Sequence, residues 1–342
     1  MSWHLIAARF WHHALMNPKS EDLEDTEAQY LLFVEQQAKS SSPVYERLCL
    51  AILNDSTVLQ LLSGLPSNSR QPNLLFGALR WLNVPVEDPD TTLAWIKTHS
   101  SDVLAILKTR RTQTNEVNRC ATLLPALALL PQPLALIEVG ASAGLCLLYD
   151  QWRYHYFGTE VDHWVGSPDS QVTLNCNVSG PVPLPDQIPD IVWRAGLDLN
   201  PLNANDPDHR RWLECLVWPE HEDRAATLSA ALDVSANQSL RIERGDLVND
   251  LPNLLDQAPK DATVIVMHSA TLTYASLPER NAFLEIVASH GAHRIGAEGP
   301  KVLPHLANQL PDFESIIPRH VVSIDDKVVA FAHPYGRSLR WL

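Results

Sequence analysis

Residues able to do chemistry crowd one short stretch, Leu134-Ala-Leu-Ile-Glu138-Val-Gly140-Ala-Ser142-Ala-Gly144-Leu-Cys146. Its apolar run reads as a strand buried on both faces. The small residues after it read as a tight turn, and Leu145, Leu147 and Leu148 then begin a helix-like pattern. In a strand, turn and helix start of this kind, backbone N–H groups can approach a ligand and a carboxylate such as Glu138 can recognise its polar end. Gly140-Ala-Ser142-Ala-Gly144 also has the Gly-x-Ser-x-Gly spacing of a nucleophile elbow, which makes Ser142 a second chemical candidate. The dinucleotide fingerprint is absent, because Ser142 takes the place of its middle glycine and Gly144 comes too early.

Other apolar runs end in polar groups. Ile191 to Leu199 places Asp198 at a strand end, where one carboxylate can accept hydrogen bonds from both hydroxyls of a ribose. Its distance from Gly144 far exceeds the about 20 residues of an undecorated fold, and an insertion at about 158–190 accounts for most of the delay. Asp246 closes the short run Leu240 to Gly245. The strongest strand, Thr263 to Met267, stops at His268, the first candidate for acid–base or positioning work, with Ser269, Thr271 and Tyr274 beside it. Glu298 ends a fifth strand. The polar stretch Lys108 to Cys120 reads either as a solvated face or as a cover over the strand ends that presents Gln113, Asn115, Glu116 and Arg119 to a ligand, with Glu116 a second proton acceptor.

These residues need elements to hold them. Apolar recurrence at three and four predicts helices through Tyr30–Val34, Tyr45–Leu53, Asn73–Leu82 and Thr92–Leu107, an all-helical cap over residues 1–130. A helix is expected from Leu145 to about Tyr156, a half-buried strand over Val172–Val178, and an acidic hairpin at Asp325-Asp326. Residues 131–342 thus read as a three-layer α/β domain.

The chain has 342 residues, 45% hydrophobic and 19% charged, with a net charge of −14. That charge disfavours nonspecific nucleic-acid binding and suits a small-molecule substrate. Five scattered cysteines with no Cys-x-x-Cys pair encode neither a disulfide framework nor a zinc site, and a reducing cytoplasm fits them best. No metal constellation stands out among the 14 histidines. Met1–Met16 lacks the apolar core of a signal peptide, and no segment is long and apolar enough to span a membrane. Homo-oligomerisation is left open by the sequence.

The acid-x-Gly-x-x-x-Gly spacing of Glu138, Gly140 and Gly144 resembles the first motif of class I S-adenosylmethionine-dependent methyltransferases. That resemblance implies a Rossmann-like fold in which Glu138, Gly140, Ser142 and Gly144 hold the methionine end of S-adenosylmethionine, Asp198 the ribose and Asp246 the adenine. It leaves His268 or Glu116 for proton removal and Gln113, Asn115, Arg119, Ser269, Tyr274 and Glu298 for the substrate. Ser42-Pro43-Val-Tyr45-Glu-Arg47, Gln71-Pro72-Asn73-Leu74-Leu75, Thr109 to Glu116, Ile137 to Leu145, Gly196 to Leu202 and His268-Ser269-Ala270 together resemble a bacterial family labelled domain of unknown function 2332. Cys146 stands where that family is expected to carry Asn. Two other functions are compatible with the residues: a non-catalytic sensing or assembly module on the same fold, and a serine hydrolase built on Ser142.

Overall fold

The computed structural model describes residues 20–39, 41–311 and 319–342, so Met1–Met16 lies outside the described residues. The chain divides into two compact units, residues 1–112 with 218–220 and residues 113–217 with 221–342.

Described residues of the first unit form the helices α1 (Glu21–Phe33), α2 (Pro43–Leu53), α3 (Ser56–Ser63), α4 (Pro72–Trp81), α5 (Pro89–Thr98) and α6 (Ser100–Thr109). Proline opens α2, α4 and α5, where its fixed φ suits a helix start and its missing N–H leaves nothing unpaired. Ser20, Ser42 and Asp55 accept the first free N–H groups of α1, α2 and α3. Trp218 joins this unit by packing 5.5 Å from Phe33 and donating Nε1–H to Asn73. Glu220 follows it, accepting hydrogen bonds from Ser42 Oγ and Val44 N.

The second unit begins with the polar stretch from Gln113 and helix α7 (Arg119–Ala128). It continues as β1 (Leu134–Val139), β2 (Arg153–Gly158), β3 (Val161–Val165), β4 (Thr173–Ser179), β5 (Ile191–Asp198), α8 (Pro207–Cys215), α9 (Glu222–Ala236), β6 (Ile242–Arg244) and α10 (Leu251–Leu255). β7 (Thr263–Ser269), α11 (Leu277–Ser289), β8 (His293–Glu298), β9 (His320–Ile324), β10 (Lys327–Ala332) and β11 (Ser338–Trp341) complete it. All strands share one 11-stranded sheet, in the order β3-β2-β4-β11-β10-β9-β8-β7-β1-β5-β6. The unit is therefore a mixed α/β structure with one large central sheet.

Five strands, β6-β5-β1-β7-β8, run parallel. The chain steps outward from β1 to β5 and β6, then returns to the other side of β1 for β7 and β8. β1 and β7 thus flank a topological switch point, where an open α/β sheet leaves a crevice beyond its carboxyl ends. β9 and β10 form the expected hairpin, with Ile324 opposite Lys327 and Asp325 at φ +49°, a conformation Asp tolerates better than most residues. Beneath the crevice, Val139, Leu197, Val266, Phe283 and Phe331 belong to one buried core.

The expected helix over Leu145–Tyr156 is absent. Two short 3₁₀ turns, Leu145–Leu147 and Tyr149–Gln151, lead instead into β2. Tyr154 and Tyr156 are buried while Arg153 and His155 are half-exposed, which is the period of a strand. Stacked tyrosine rings 6.2 Å apart fit the pleated surface better than a helix. β4 runs parallel to β11 with Asn177 level with Ser338, so Thr173–Cys176 and the paired part of β2 rise past the sheet's carboxyl edge as a wall. Tyr156 ties α7 to this wall by donating its hydroxyl to Ala121 O at 2.9 Å.

Candidate functional site

The turn after β1 is held in left-handed backbone, with φ of +79° at Gly140, +54° at Ser142 and +72° at Gly144. A non-glycine residue there carries strain, and strain of this kind concentrates at functional sites. Asp198 offsets it: Oδ2 accepts Ser142 N at 2.8 Å and Oδ1 accepts Asn200 N at 2.7 Å, stapling the turn to the end of β5. Close packing adds to the backbone requirement at Gly140, and at Gly144 the left-handed φ is the main one. A Cβ on Gly140 would lie 2.3 Å from Thr271 Oγ1, and one on Gly144 would lie 2.8 Å from Leu240. Beside Gly144 a cleft of about 260 Å³ is lined by Ala143, Asn203, Asn205, Ser235 and Gln238.

Glu138 sits one residue before the end of β1, 4% exposed, on the same sheet face as Ser269. Burial pushes its carboxyl well above the usual carboxylate range, Cys146 and Asp198 push it further, and Arg119 offsets only part of this. Its surroundings thus disfavour the ionised form. Among the described residues its Oε2 has no partner, and neither do the buried oxygens Ser142 Oγ, Tyr149 OH and Ser269 Oγ. Native proteins pair nearly all buried polar atoms, so these orphans make this strand end a candidate site, although His268 Nε2 and Glu298 Oε2 in the core are unpartnered too.

The polar stretch 113–119 does reach the strand ends, but its side chains are held by the protein's own groups. Gln113 donates to Asn200 O at 3.2 Å, Asn115 to Leu213 O at 3.0 Å, and Arg119 to Ser269 O and Pro334 O, both at 3.0 Å. Cys146 reaches Glu116 O with its thiol at 3.8 Å. Glu116 is ion-paired with Arg224 at 2.5 Å, the two side chains being 6% and 8% exposed.

His268 and Glu298, expected as separate site residues, are bonded to each other. His268 pairs in register with Val139, which places both on the opposite sheet face from Glu138. Its ring is 1% exposed and stands edge-on to Phe283. Gly296 leaves room for it, since a Cβ there would lie 2.4 Å from the imidazole. Glu298 Oε1 accepts His268 Nδ1–H at 2.9 Å and the backbone N–H groups of Thr271 and Leu272 at 3.0 Å. Burial lowers the His268 pKa against the pull of Glu298. The Glu298 pKa is also lowered, because hydrogen bonds from His268, Leu272 and Thr271 outweigh burial. A neutral imidazole held by a carboxylate thus anchors the turn after β7 from inside the core, away from the crevice.

Two other expected residues are engaged elsewhere. Asp246 accepts Val248 N, Asn249 N and Asn249 Nδ2, all at 2.8 Å, which closes its own turn and lowers its pKa. Tyr274 is 62% exposed on a 3₁₀ turn. Among the described residues, no group of three or more His, Cys, Asp or Glu side chains is arranged to hold a metal, and no helix is long and apolar enough to cross a membrane.

Sequence reasoning missed a polar cluster at the carboxyl end of β10. Arg224 lies 3.9 Å over the Tyr335 ring and bonds His221 Nδ1 at 2.8 Å. His333 Nδ1 accepts Tyr335 N at 3.1 Å, and Gly336 fits because a Cβ there would lie 2.2 Å from Asn118 O. The available signal was His333-Pro-Tyr335-Gly336 following an apolar strand. Burial and neighbouring arginines push His333 down to about 4 and His320 down to about 3. As pH falls below the ordinary value of 6.5, the unfolded chain takes up these protons first. This part of the stability is thus complete above 6.5 and is lost toward the folded values. Urea unfolding between about pH 7 and pH 5 is expected to show a loss approaching 1.4 kcal/mol per pH unit for each histidine at the acid end. The double variant His320→Gln/His333→Gln should flatten that slope; an unchanged slope would refute this origin.

No curated protein matches the chain. The model of a family described as "Uncharacterized protein conserved in bacteria (DUF2332)" matches residues 27–341, nearly the full length, and the chain belongs to that family.

Proposed function

We propose that the chain binds S-adenosylmethionine at the switch point and transfers its methyl group to a small molecule, on a Rossmann-like methyltransferase-type fold. One observation carries this reading. Glu138, Asp198 and Asp246 stand at or just past the carboxyl ends of three neighbouring parallel strands, β1, β5 and β6, with Glu138 Oε2 and Ser142 Oγ buried and unpaired between them. These residues fit the cofactor. Glu138 and Ser142 supply free polar atoms to the methionine end, with Gly140 and Gly144 shaping the turn, while Asp198 keeps lone pairs for ribose hydroxyls beyond the two N–H bonds it accepts. Asp246 fits least well, because three of its four acceptor sites are taken by its own turn.

The bound cofactor supplies a methyl group activated by a sulfonium. The chain's part is alignment: holding acceptor and donor in line supplies much of the rate enhancement without a base. Glu116 is tied to Arg224 and His268 to Glu298, so the reading suits an acceptor that needs no proton removed by either. Five free cysteines, all buried, support a reducing compartment such as the cytoplasm.

Titration calorimetry with S-adenosylhomocysteine tests the reading. Wild type is expected to bind at micromolar affinity, about −8 kcal/mol. Glu138→Gln, an isosteric amide, should fold normally and bind at least about tenfold more weakly, having lost a carboxyl that can pair with an ammonium group. Folded wild type that does not bind would reject the proposal. Binding without turnover on any acceptor would favour the sensing module. The serine-hydrolase reading has one observation in its favour, the left-handed Ser142 with its unpaired Oγ. It ranks lower because His268, the expected base, faces the other side of the sheet and is bonded to Glu298.

A further inference from the structure

Against a net charge of −14, one part of the carboxyl edge gathers cations. Arg337, Arg224 and Arg319 act on His333, and Arg119 together with Glu298 acts on His320, while Arg224 bonds Glu116 and Arg337 bonds Asp223. The turn His333-Pro334-Tyr335 lies in their midst: Arg119 Nε bonds Pro334 O, and Arg224 stacks on Tyr335.

Among the described residues, several donors near this turn have no acceptor of their own. Arg119 uses Nε and Nη1 on the carbonyls of Pro334 and Ser269, so no described residue takes its Nη2. Arg224 uses Nε on Glu116 and Nη1 on His221, so its Nη2 is likewise unpaired among the described residues. His333 accepts Tyr335 N–H at Nδ1, which fixes the neutral tautomer with its proton on Nε2. Ser269, the residue whose carbonyl holds Arg119, has a buried hydroxyl with no partner. Two guanidinium nitrogens, an imidazole N–H and a hydroxyl therefore border one turn as donors. An oxyanion meets charge-assisted donors here in a half-buried setting, where such bonds are strong.

We propose that Arg119, Arg224, His333 and Ser269 form a subsite for an oxyanion, a carboxylate or phosphate group on the ligand. Assigning that group to the methyl acceptor rests on the methyltransferase reading; the subsite itself is tested without a methyl donor. Inorganic phosphate, and in a parallel arm succinate, is titrated into the full-length protein at fixed ionic strength while the His333 ring resonances are followed by NMR. Saturable shifts are expected in wild type, and whichever arm saturates at lower concentration identifies the oxyanion. Glu116→Gln/Arg224→Gln removes one donor without leaving Glu116 as an unpaired buried charge, and should weaken binding at least about tenfold. Ser269→Ala removes only the unpaired hydroxyl, so it keeps the test meaningful if the double variant folds poorly, and should weaken binding severalfold. Shifts that do not saturate, that chloride reproduces, or that survive in both variants would overturn the proposal. The S-adenosylhomocysteine titration is run on the same samples. Phosphate or succinate binding without cofactor binding retains the subsite and discards the methyltransferase reading, and the reverse discards only the subsite.

Discussion

Glu298→Ala is expected to destabilise the protein by about 3–5 kcal/mol, because leaving a buried donor without its acceptor costs about 1–3 kcal/mol and three are left at once. Three donors lose their acceptor together: His268 Nδ1–H, Thr271 N–H and Leu272 N–H, all bonded to Oε1. His268 and Leu272 are fully enclosed, so water cannot replace the lost bonds without opening the core. The effect should spread to the turn after β7, where Ala270 sits at φ +51°, held by its own N–H on Ala297 O. Glu298→Gln separates charge from geometry. Its amide oxygen can accept the same three bonds, so only the charge-assisted part is lost, and about 1–2 kcal/mol is expected. Urea unfolding of the two variants beside wild type measures both figures. An alanine variant within about 1 kcal/mol of wild type would show that the carboxylate does not anchor this turn.

The same pair shows where the sequence was legible and where it was not. Apolar runs announced β1, β5, β7 and β8, and their polar terminators, Glu138, Asp198, His268 and Glu298, were correctly read as strand ends, because a buried parallel strand has to be apolar until it leaves the core. Which terminators face one another was hidden. Register and pleat decide that: His268 faces the Phe283 side with Glu298, while Glu138 faces the other, and no linear pattern reports which strand lies beside which. β2 failed for a different reason. Trp152, Tyr154 and Tyr156 recur at two, a strand period, but the strand–turn–helix expectation set by Gly140–Gly144 made a helix look obligatory after Leu145. The spacing of the glycines reports their backbone freedom, whereas Thr271, which packs against Gly140, lies far along the chain. The cluster at His333 was invisible because its parts come from the polar stretch, α9 and the loop after β10, and become one environment only when the sheet assembles.

The second large effect concerns Glu116, read from the sequence as a proton acceptor. Its partner Arg224 is 2.5 Å away, both side chains are under a tenth exposed, and Arg224 also bonds His221 and covers Tyr335. Glu116→Ala and Arg224→Ala are each expected to lose about 3–5 kcal/mol, because either change leaves one charge buried without its counterion. The double variant Glu116→Gln/Arg224→Gln should lose much less than the sum of the two alanine variants, since it removes both charges and keeps groups that can bond each other. A cycle through the matching single glutamine variants should give a coupling of up to about 3 kcal/mol. The same cycle separates a structural from a chemical role. A catalytic base replaced by glutamine would abolish turnover while leaving the urea midpoint nearly unchanged. An ion-paired Glu116 replaced by glutamine lowers the midpoint, and pairing it with Arg224→Gln restores most of the loss. Additive losses with no coupling would leave the pair without energetic meaning and return Glu116 to the list of candidate bases.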